Sequence, residues 1–464
     1  MNWKKFTLTV CALALMAGTT RSGLAQKETP PEGGTPKPFK LPPKQSFALP
    51  NGLGATLVPY GTLPKVTVSV VVRTGNLNEP ADKIWLADLA GDLMKEGTPT
   101  RNAEQIAQEA ARMGGAVNVN VGMDTTTISG DVLSEFGPDL IRLLADIIQN
   151  PQLPATELPR LKKEYARRLA IAKTQPGALA QERFRQLLYP NHPYGRIFPT
   201  EAMIESYTIE DAQKFYKENF GAARTHVYVS GRFEPAAVKK AINEAFARWA
   251  RGPEPLINVP RPVARRVINM INRPGAAQST LYLGLPVIDP SNKDYVPLLV
   301  TNTLLGGSFA SRITSNIREQ KGYTYSPNSQ VSARYRDAYW VQIADVTTDV
   351  TGPSLKEIFY EIDRLRNEPP GEAELRGIKS YMAGFFVLQN SSRQGVINQL
   401  AFLNLHRLDD SYLTNYVQNV YAVTPQEVQR IAREYLQPDR MAIVIVGDQE
   451  KIAKDVSAFG DVTN

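Results

Sequence analysis

The sequence predicts an α+β protein made of two similar domains with mixed or antiparallel sheets. Three observations predict it. First, Thr208–Gly231 (TIEDAQKFYKENFGAARTHVYVSG) aligns without a gap on Thr424–Gly447 (TPQEVQRIAREYLQPDRMAIVIVG), an offset of 424 − 208 = 216. Thr208/Thr424, Gln213/Gln429, Glu218/Glu434, Arg224/Arg440 and Gly231/Gly447 are identical, while Val227/Ile443 and Val229/Ile445 keep one strand face. So long a period means a duplicated domain rather than a solenoid. Second, β-rich runs and amphipathic helical runs alternate with hairpins among them, which is not the strict order of a doubly wound parallel sheet. Third, Gly252–Val263 holds four prolines. It places a linker at 252–264 between an N-terminal domain, 46–251, and a C-terminal domain, 265–464.

The first 25 residues read as a secretory signal: Lys4 and Lys5, an apolar run from Phe6 to Met16, then Gly23-Leu24-Ala25 before Gln26. The run is too short to span a membrane. The proline-rich stretch 26–45 is expected to be a disordered or extended tether. Removing Lys4, Lys5 and Arg21 takes the net charge from +7 to +4, an excess too mild to argue for nucleic acid or an anionic membrane. The only cysteine, Cys11, lies within the signal, so the exported chain needs no disulfide. No later segment has the apolar length of a transmembrane helix. The expected address is the bacterial periplasm.

Along the first domain, 55–59 and the valine-rich 66–73 read as strands. Helices are expected at 82–95 and 102–113. A hairpin follows at 117–121 and 125–132. The run 136–149 is strongly amphipathic, with Leu140, Leu143, Leu144, Ile147 and Ile148 on one face. Helices are expected again at 157–173 and 178–188. Each repeat copy then reads as a Thr-capped helix, a turn and a buried strand. In the second domain, strands are expected at 267–271 and 278–285, helices at 295–305 and 311–320, and a hairpin at 325–333 and 338–344.

The most informative stretch is Leu304–Tyr325, LLGGSFASRITSNIREQKGYTY. Gly306-Gly307 permits a sharp turn. Ile313 and Ile317 share a helical face, and Gly322 stops the helix before a strand expected to open at Tyr323. That arrangement would bring Arg318 and Tyr325 together, where guanidinium and phenol can both donate to one carbonyl or carboxylate.

Gly306, Gly307, Ser311, Arg312, Arg318, Glu319, Gly322 and Tyr325 resemble the C-terminal-half signature of the pitrilysin/insulinase (inverzincin) metallopeptidase family. The resemblance covers nearly the whole exported chain. It implies two LuxS/processing-peptidase-like domains, each with helices packed on one face of its sheet. It also implies substrate binding by Arg318, Tyr325, Gly306 and Gly307, with Arg318 and Tyr325 polarising the scissile carbonyl. Active members carry H-x-x-E-H on the first long helix of an N-terminal domain, two zinc-ligand histidines flanking a general base. Counting back from Lys95-Glu96-Gly97-Thr98 puts Asp88 and Asp92 at the histidine positions and Gly91 at the glutamate. The third ligand, about seventy residues on in the family pattern, falls in the helix 157–173 near Tyr165-Ala166-Arg167-Arg168, with Glu164 the nearest carboxylate. His192, His226 and His406 are the only histidines and lack ligand spacing, so packing or surface roles are expected.

Asp88 and Asp92 on one helix face could hold a hard cation weakly, but a solvated acidic first turn is the simpler expectation. The chain therefore resembles the non-catalytic partners found in this family, like the alpha-type subunit of the mitochondrial processing peptidase and bacterial heterodimeric partners. It binds no metal of its own in this reading, and zinc belongs to an H-x-x-E-H-bearing homologous subunit. Unfolded peptide is the expected substrate. A scaffold or peptide-binding protein with no part in hydrolysis is the alternative, and an independent hydrolase using Asp88/Asp92 is a third.

Overall fold

The computed structural model describes residues 39–463. The expected signal and residues 26–38 of the expected tether lie outside the described residues. The rest of that stretch is anchored: Phe39 packs edge-on against Phe386, and Leu41 joins the same apolar cluster.

In the first half, β1 (Gln45–Ala48), β2 (Gly54–Pro59) and β3 (Lys65–Val72) precede α1 (Leu86–Met94). The short pair β4 (Gly97–Thr98) and β5 (Arg101–Asn102) leads to α2 (Ala103–Arg112) and the hairpin β6 (Val117–Val121) and β7 (Thr126–Leu133). Helices α3 (Gly137–Gln149), α4 (Leu158–Thr174), α5 (Pro176–Leu188), α6 (Glu201–Ser206) and α7 (Ile209–Asn219) follow, then β8 (Thr225–Gly231) and α8 (Pro235–Phe246). Residues 250–266 carry no helix or strand.

The second half runs β9 (Val267–Asn272), β10 (Gln278–Val287), α9 (Tyr295–Leu305), a π-helical segment (Thr314–Gln320), and the hairpin β11 (Asn328–Arg334) and β12 (Asp337–Thr347). Helices α10 (Thr351–Asn367), α11 (Glu372–Gln389), α12 (Arg393–His406), α13 (Ser411–Thr414), α14 (Tyr416–Ala422) and α15 (Pro425–Tyr435) come next. The chain closes with β13 (Ala442–Gly447), α16 (Gln449–Val456) and β14 (Val462–Thr463).

The duplication read from the repeat extends through both sheets. Their orders are β1-β2-β8-β3-β7-β6 and β14-β9-β13-β10-β12-β11. The repeated strands β8 and β13 each run parallel to one neighbour and antiparallel to the other. Even the register agrees: Val227 faces Val70, and its repeat partner Ile443 faces Leu283. The outermost strands break the match, since β1 is antiparallel to β2 whereas β14 is parallel to β9.

Strand alternation then decides what each sheet face buries. Val68, Val70 and Val72 of β3 pack with Leu140, Leu143 and Leu144 of α3, in the first half's own core. Val71 points the other way and is covered by Val396, Ile397 and Leu400 of α12, a helix of the second half. The reciprocal holds: Leu281, Leu283 and Leu285 face their own helices, whereas Tyr282, Val444 and Val446 receive Ala180, Phe184 and Leu188 of α5. Each half covers one face of its sheet with its own helices and lends one helix to the other half's second face.

Candidate functional site

Arg318 sits in the π-helical segment, where the sequence suggested an ordinary helix. Wide backbone bonds define it: Lys321 N–H donates to Asn316 and Tyr323 N–H to Ile317, at 3.1 and 2.8 Å. Gly322, at φ 65°, ends the segment in the left-handed conformation that glycine adopts without strain. Such single π turns recur at functional positions. Ile313 and Ile317 are fully buried, and Arg312 is fixed by a two-pronged bond to Glu374 at 2.7 and 2.9 Å. The segment is therefore held rigidly from below while Arg318 projects from it.

The strand expected at Tyr323 opens only at Asn328. Pro327 cannot donate to a sheet ladder, so Tyr325 is left on the connection before β11. Tyr325 is 81% exposed. The guanidinium of Arg318 lies 5.1 Å from its ring centroid and 4.4 Å from that of Phe309. Phe309 is itself 67% exposed. The structure thus joins Arg318 and Tyr325, by cation–π stacking between two aromatic rings. Arg318 makes one long ion pair, 3.4 Å to the neighbouring and exposed Glu319, so its donors remain open to a ligand.

Gly306 and Gly307 do something narrower than expected. A Cβ on Gly306 would lie 2.6 Å from Ser329 Oγ, and one on Gly307 would lie 2.5 Å from Asn302 Nδ2. Both N–H groups donate to the Asn302 carbonyl, and the Gly306 carbonyl accepts from Ser329 N–H at 2.9 Å. These backbone groups are already used, so they offer no edge for an added peptide strand. The pair is a close-packed hinge that sets where the following segment starts.

In the first half, α1 starts at Leu86 rather than near Asp82, because Trp85 adopts φ 72° and turns the chain there. The Trp85 indole donates to the Ile197 carbonyl at 2.9 Å. Asp88, Gly91 and Asp92 lie on this helix as aligned. The simple expectation of a solvated acidic turn is wrong for Asp88, whose side chain is only 16% exposed. Asn76 Nδ2 bridges it to Glu79, donating at 2.7 Å to Asp88 and 2.9 Å to Glu79. Glu79 Oε1 also accepts from Ala87 N–H at 2.8 Å. Burial pushes the Glu79 carboxyl up to about 8 and raises that of Asp88.

The region aligned with the third ligand supplies donors instead of a carboxylate. Arg168 reaches Asp88 at 3.5 Å while its guanidinium stacks 4.5 Å from the Trp85 ring. Tyr165 Oη donates to Asp92 at 2.7 Å, and Lys95 pairs with Asp92 at 2.7 Å. Glu164 is turned away, toward Arg160. A base at Gly91 would have to displace Val121, whose Cγ2 would lie 2.6 Å from a Cβ there. A zinc ion does not fit this set, since Asp88 and Asp92 are engaged by Asn76, Arg168, Tyr165 and Lys95 and the facing helix brings a cation rather than a third carboxylate. No cluster of three metal-ligating side chains occurs among the described residues.

The histidines are packing residues. His192 Nδ1 accepts from Tyr194 N–H, His226 stacks on Tyr228 at 4.3 Å, and His406 lies 4.4 Å from Phe402. Sequence reasoning missed Phe309 and the Asn76–Glu79 bridge. Phe309 carried a usable signal, a large apolar side chain inside a Gly/Ser turn. Asn76 and Glu79 carried none, because their roles depend on a loop folding back onto α1.

Residues 59–198 match the insulinase (peptidase family M16) domain, and residues 206–382 match the peptidase M16 inactive domain. Among curated relatives, a Bacillus subtilis protein named "Uncharacterized zinc protease YmxG" is 23% identical over 84% of this chain and 95% of its own length. A Rickettsia bellii protein named "Uncharacterized zinc protease" is 25% identical over 68% of this chain and 77% of its own. Among solved structures, the peptidase M16 inactive domain from Pseudomonas fluorescens superposes with a TM-score of 0.80 at 23% identity, covering 87% of this chain and 98% of that one. A protease from Helicobacter pylori gives 0.82 at 22%, covering 88% and 100%. The fold, the two matched domains and the replaced zinc motif agree: the chain belongs to the insulinase (peptidase M16) family, as a member of its inactive type.

Proposed function

We propose that this chain is the zinc-less subunit of an exported, periplasmic insulinase-family metallopeptidase. It holds unfolded peptide and lends Arg318 and Tyr325 to the active site of an H-x-x-E-H-bearing homologous partner, which carries the zinc. One observation carries the reading. The metal positions are refilled with mutually satisfied side chains, while Arg318 stays half-buried with open donors beside the exposed Tyr325. A scaffold gains nothing from an arginine with open donors clamped between two exposed rings. A guanidinium placed this way would donate to the carbonyl oxygen of a bound peptide and stabilise negative charge developing there, while the partner's zinc would supply the activation of water. The edge strand β6, beside α1, offers unpaired backbone to an extended peptide.

The test is a peptidase assay on unstructured fluorogenic peptides, with this chain alone, with its H-x-x-E-H homologue, and with the Arg318→Ala variant in the mixture. The expected result is silence alone, activity in the mixture, and a loss of about 100-fold with Arg318→Ala. Chelator-sensitive hydrolysis by this chain alone would overturn the reading. Peptide binding without hydrolysis in any mixture would establish the scaffold alternative.

A further inference from the structure

Where α12 crosses the first half's sheet, the seam between the halves forms a partly open cavity of about 220 Å³. Its wall includes Arg73, Arg224, Thr125, His226 and Asn404, and no aspartate or glutamate lines it. Arg224 is 5% exposed, yet its guanidinium meets only neutral acceptors: the Pro253 and Glu254 carbonyls and Thr74 Oγ1. Burial and the nearby Arg73 hold it below its usual range. Arg73 lies 4.8 Å from the Tyr335 ring centroid, and its guanidinium has no hydrogen-bond acceptor among the described residues. Arg336 stacks on the same ring at 5.6 Å. Glu254, the carboxylate that acts on Arg224, is paired with Arg251, while Asp337 accepts from Tyr189 and Asp124 from Tyr194. His226 is held neutral by burial, its Nε2 bonded to Thr56, and adds no charge to the wall.

The buried guanidinium of Arg224 and the half-buried one of Arg73 face one cavity with no carboxylate in its wall, a positive charge that an anion would neutralise. The planar fork of arginine suits a carboxylate in particular, which it can grip through two parallel bonds. The volume equals the share of about seven liquid waters, enough for a carboxylate with a short side chain. We propose that this cavity is a carboxylate subsite in which Arg73 grips the ligand and Arg224 supplies the field. Resting on the peptide-binding reading above, the carboxylate is the C-terminal end of a bound peptide. A small free carboxylate would satisfy the same chemistry.

The test compares an unstructured fluorescent peptide bearing a free C-terminus with its C-terminal amide, by anisotropy on the purified chain. Acetate alone is followed by thermal shift, and each measurement is repeated on Arg73→Ala and Arg73→Lys. The expected result is a preference of about tenfold for the free acid, abolished in Arg73→Ala and partly kept in Arg73→Lys. Equal binding of both peptides, with acetate raising the Tm of the wild type but not of Arg73→Ala, would assign the subsite to free carboxylates. Peptide binding indifferent to its terminus, with no Arg73-dependent effect of acetate, would overturn this inference and leave the proposed function standing. An Arg73-dependent acetate effect without any peptide binding would do the reverse.

Discussion

Val119 on β6 and Ser329 on β11 occupy the same register position in the two copies of the fold. Val119 pairs through Ile128 and Val70 to Val227, and Ser329 pairs through Gln342 and Leu283 to Ile443. Over Val119 lies Gly91 of α1, and over Ser329 lies Asn302 of α9. The second half has closed this junction with neutral groups: Asn302 Oδ1 accepts from Ser329 Oγ and Trp340 Nε1, both at 2.8 Å. The first half keeps ionisable groups on the same helix, Asp88 and Asp92, with Arg168, Tyr165 and Lys95 around them. One position has become a neutral strut and the other a charged network with the metal chemistry removed. The functional residues of the second half lie beyond the strut, on the segment that it orients.

The largest effect should come from breaking that segment. Arg312→Ala would unpair the partly exposed Glu374 and remove the buried anchor under Arg318; it should lower stability by about 2 kcal/mol in urea unfolding. Peptidase activity in the mixture should fall along with it. If activity falls while stability holds, Arg312 orients the segment without supporting the fold.

The charged network can be challenged by rebuilding the motif. Gly91→Glu should lower stability by about 1–3 kcal/mol, because its side chain must displace Val121. Asp88→His, Gly91→Glu and Asp92→His together should still fail to retain zinc after desalting, since the facing helix brings Arg168 rather than a third carboxylate. Adding Arg168→Glu is the change that should admit the metal, read by metal content per chain.

The network also sets a pH dependence. The folded state holds the Glu79 proton more tightly than the unfolded chain, about 8 against 4.5. Between those values folding binds protons, so this contribution to stability falls as pH rises. His226 and His406 act oppositely: burial holds both at about 4 against 6.5, and their contribution rises across that window. Above about pH 6.5 only the carboxyl effect remains, reinforced up to about 7 by Asp337. Wild-type stability should therefore drop between pH 6.5 and 8, and Glu79→Gln should flatten the drop by about 1 kcal/mol per pH unit. Parallel curves for the two proteins would remove Glu79 from the account.

Much of this comparison was legible in the sequence, and the unread part has a physical pattern. The gap-free repeat gave the equivalence of β8 and β13, and alternation in the strands gave their core faces. Helix positions from amphipathic spacing agree with the structure within a few residues, as in α3. What spacing could not show was the exchange of α5 and α12 between halves, because a helix face reads the same whichever sheet buries it. The π-helical segment was hidden for a similar reason: Ile313 and Ile317 suit either helix type. Arg318 and Tyr325 could be paired by motif, but their stacking with Phe309 depends on Pro327 delaying the strand. At α1, the replaced motif was visible in the residue types, whereas its refilling by Arg168 and Tyr165 required the fold.

The smallest predicted effects test how far the two copies are energetically equivalent. Thr208 and Thr424 cap α7 and α15 alike, their Oγ1 atoms accepting from Asp211 and Glu427 N–H, both at 3.1 Å. Each Thr→Ala variant should cost about 1 kcal/mol, equal within about 0.5 kcal/mol. The third residues of the helices differ. Asp211 returns a bond to Thr208 N–H at 2.9 Å and pairs with Lys83, whereas Glu427 turns to Arg430 on the helix surface. Asp211→Ala should therefore cost about 1 kcal/mol, and Glu427→Ala less than about 0.5 kcal/mol, in paired urea titrations. Equal losses would mean that the cap geometry seen in the first half adds nothing to what the repeat already shares.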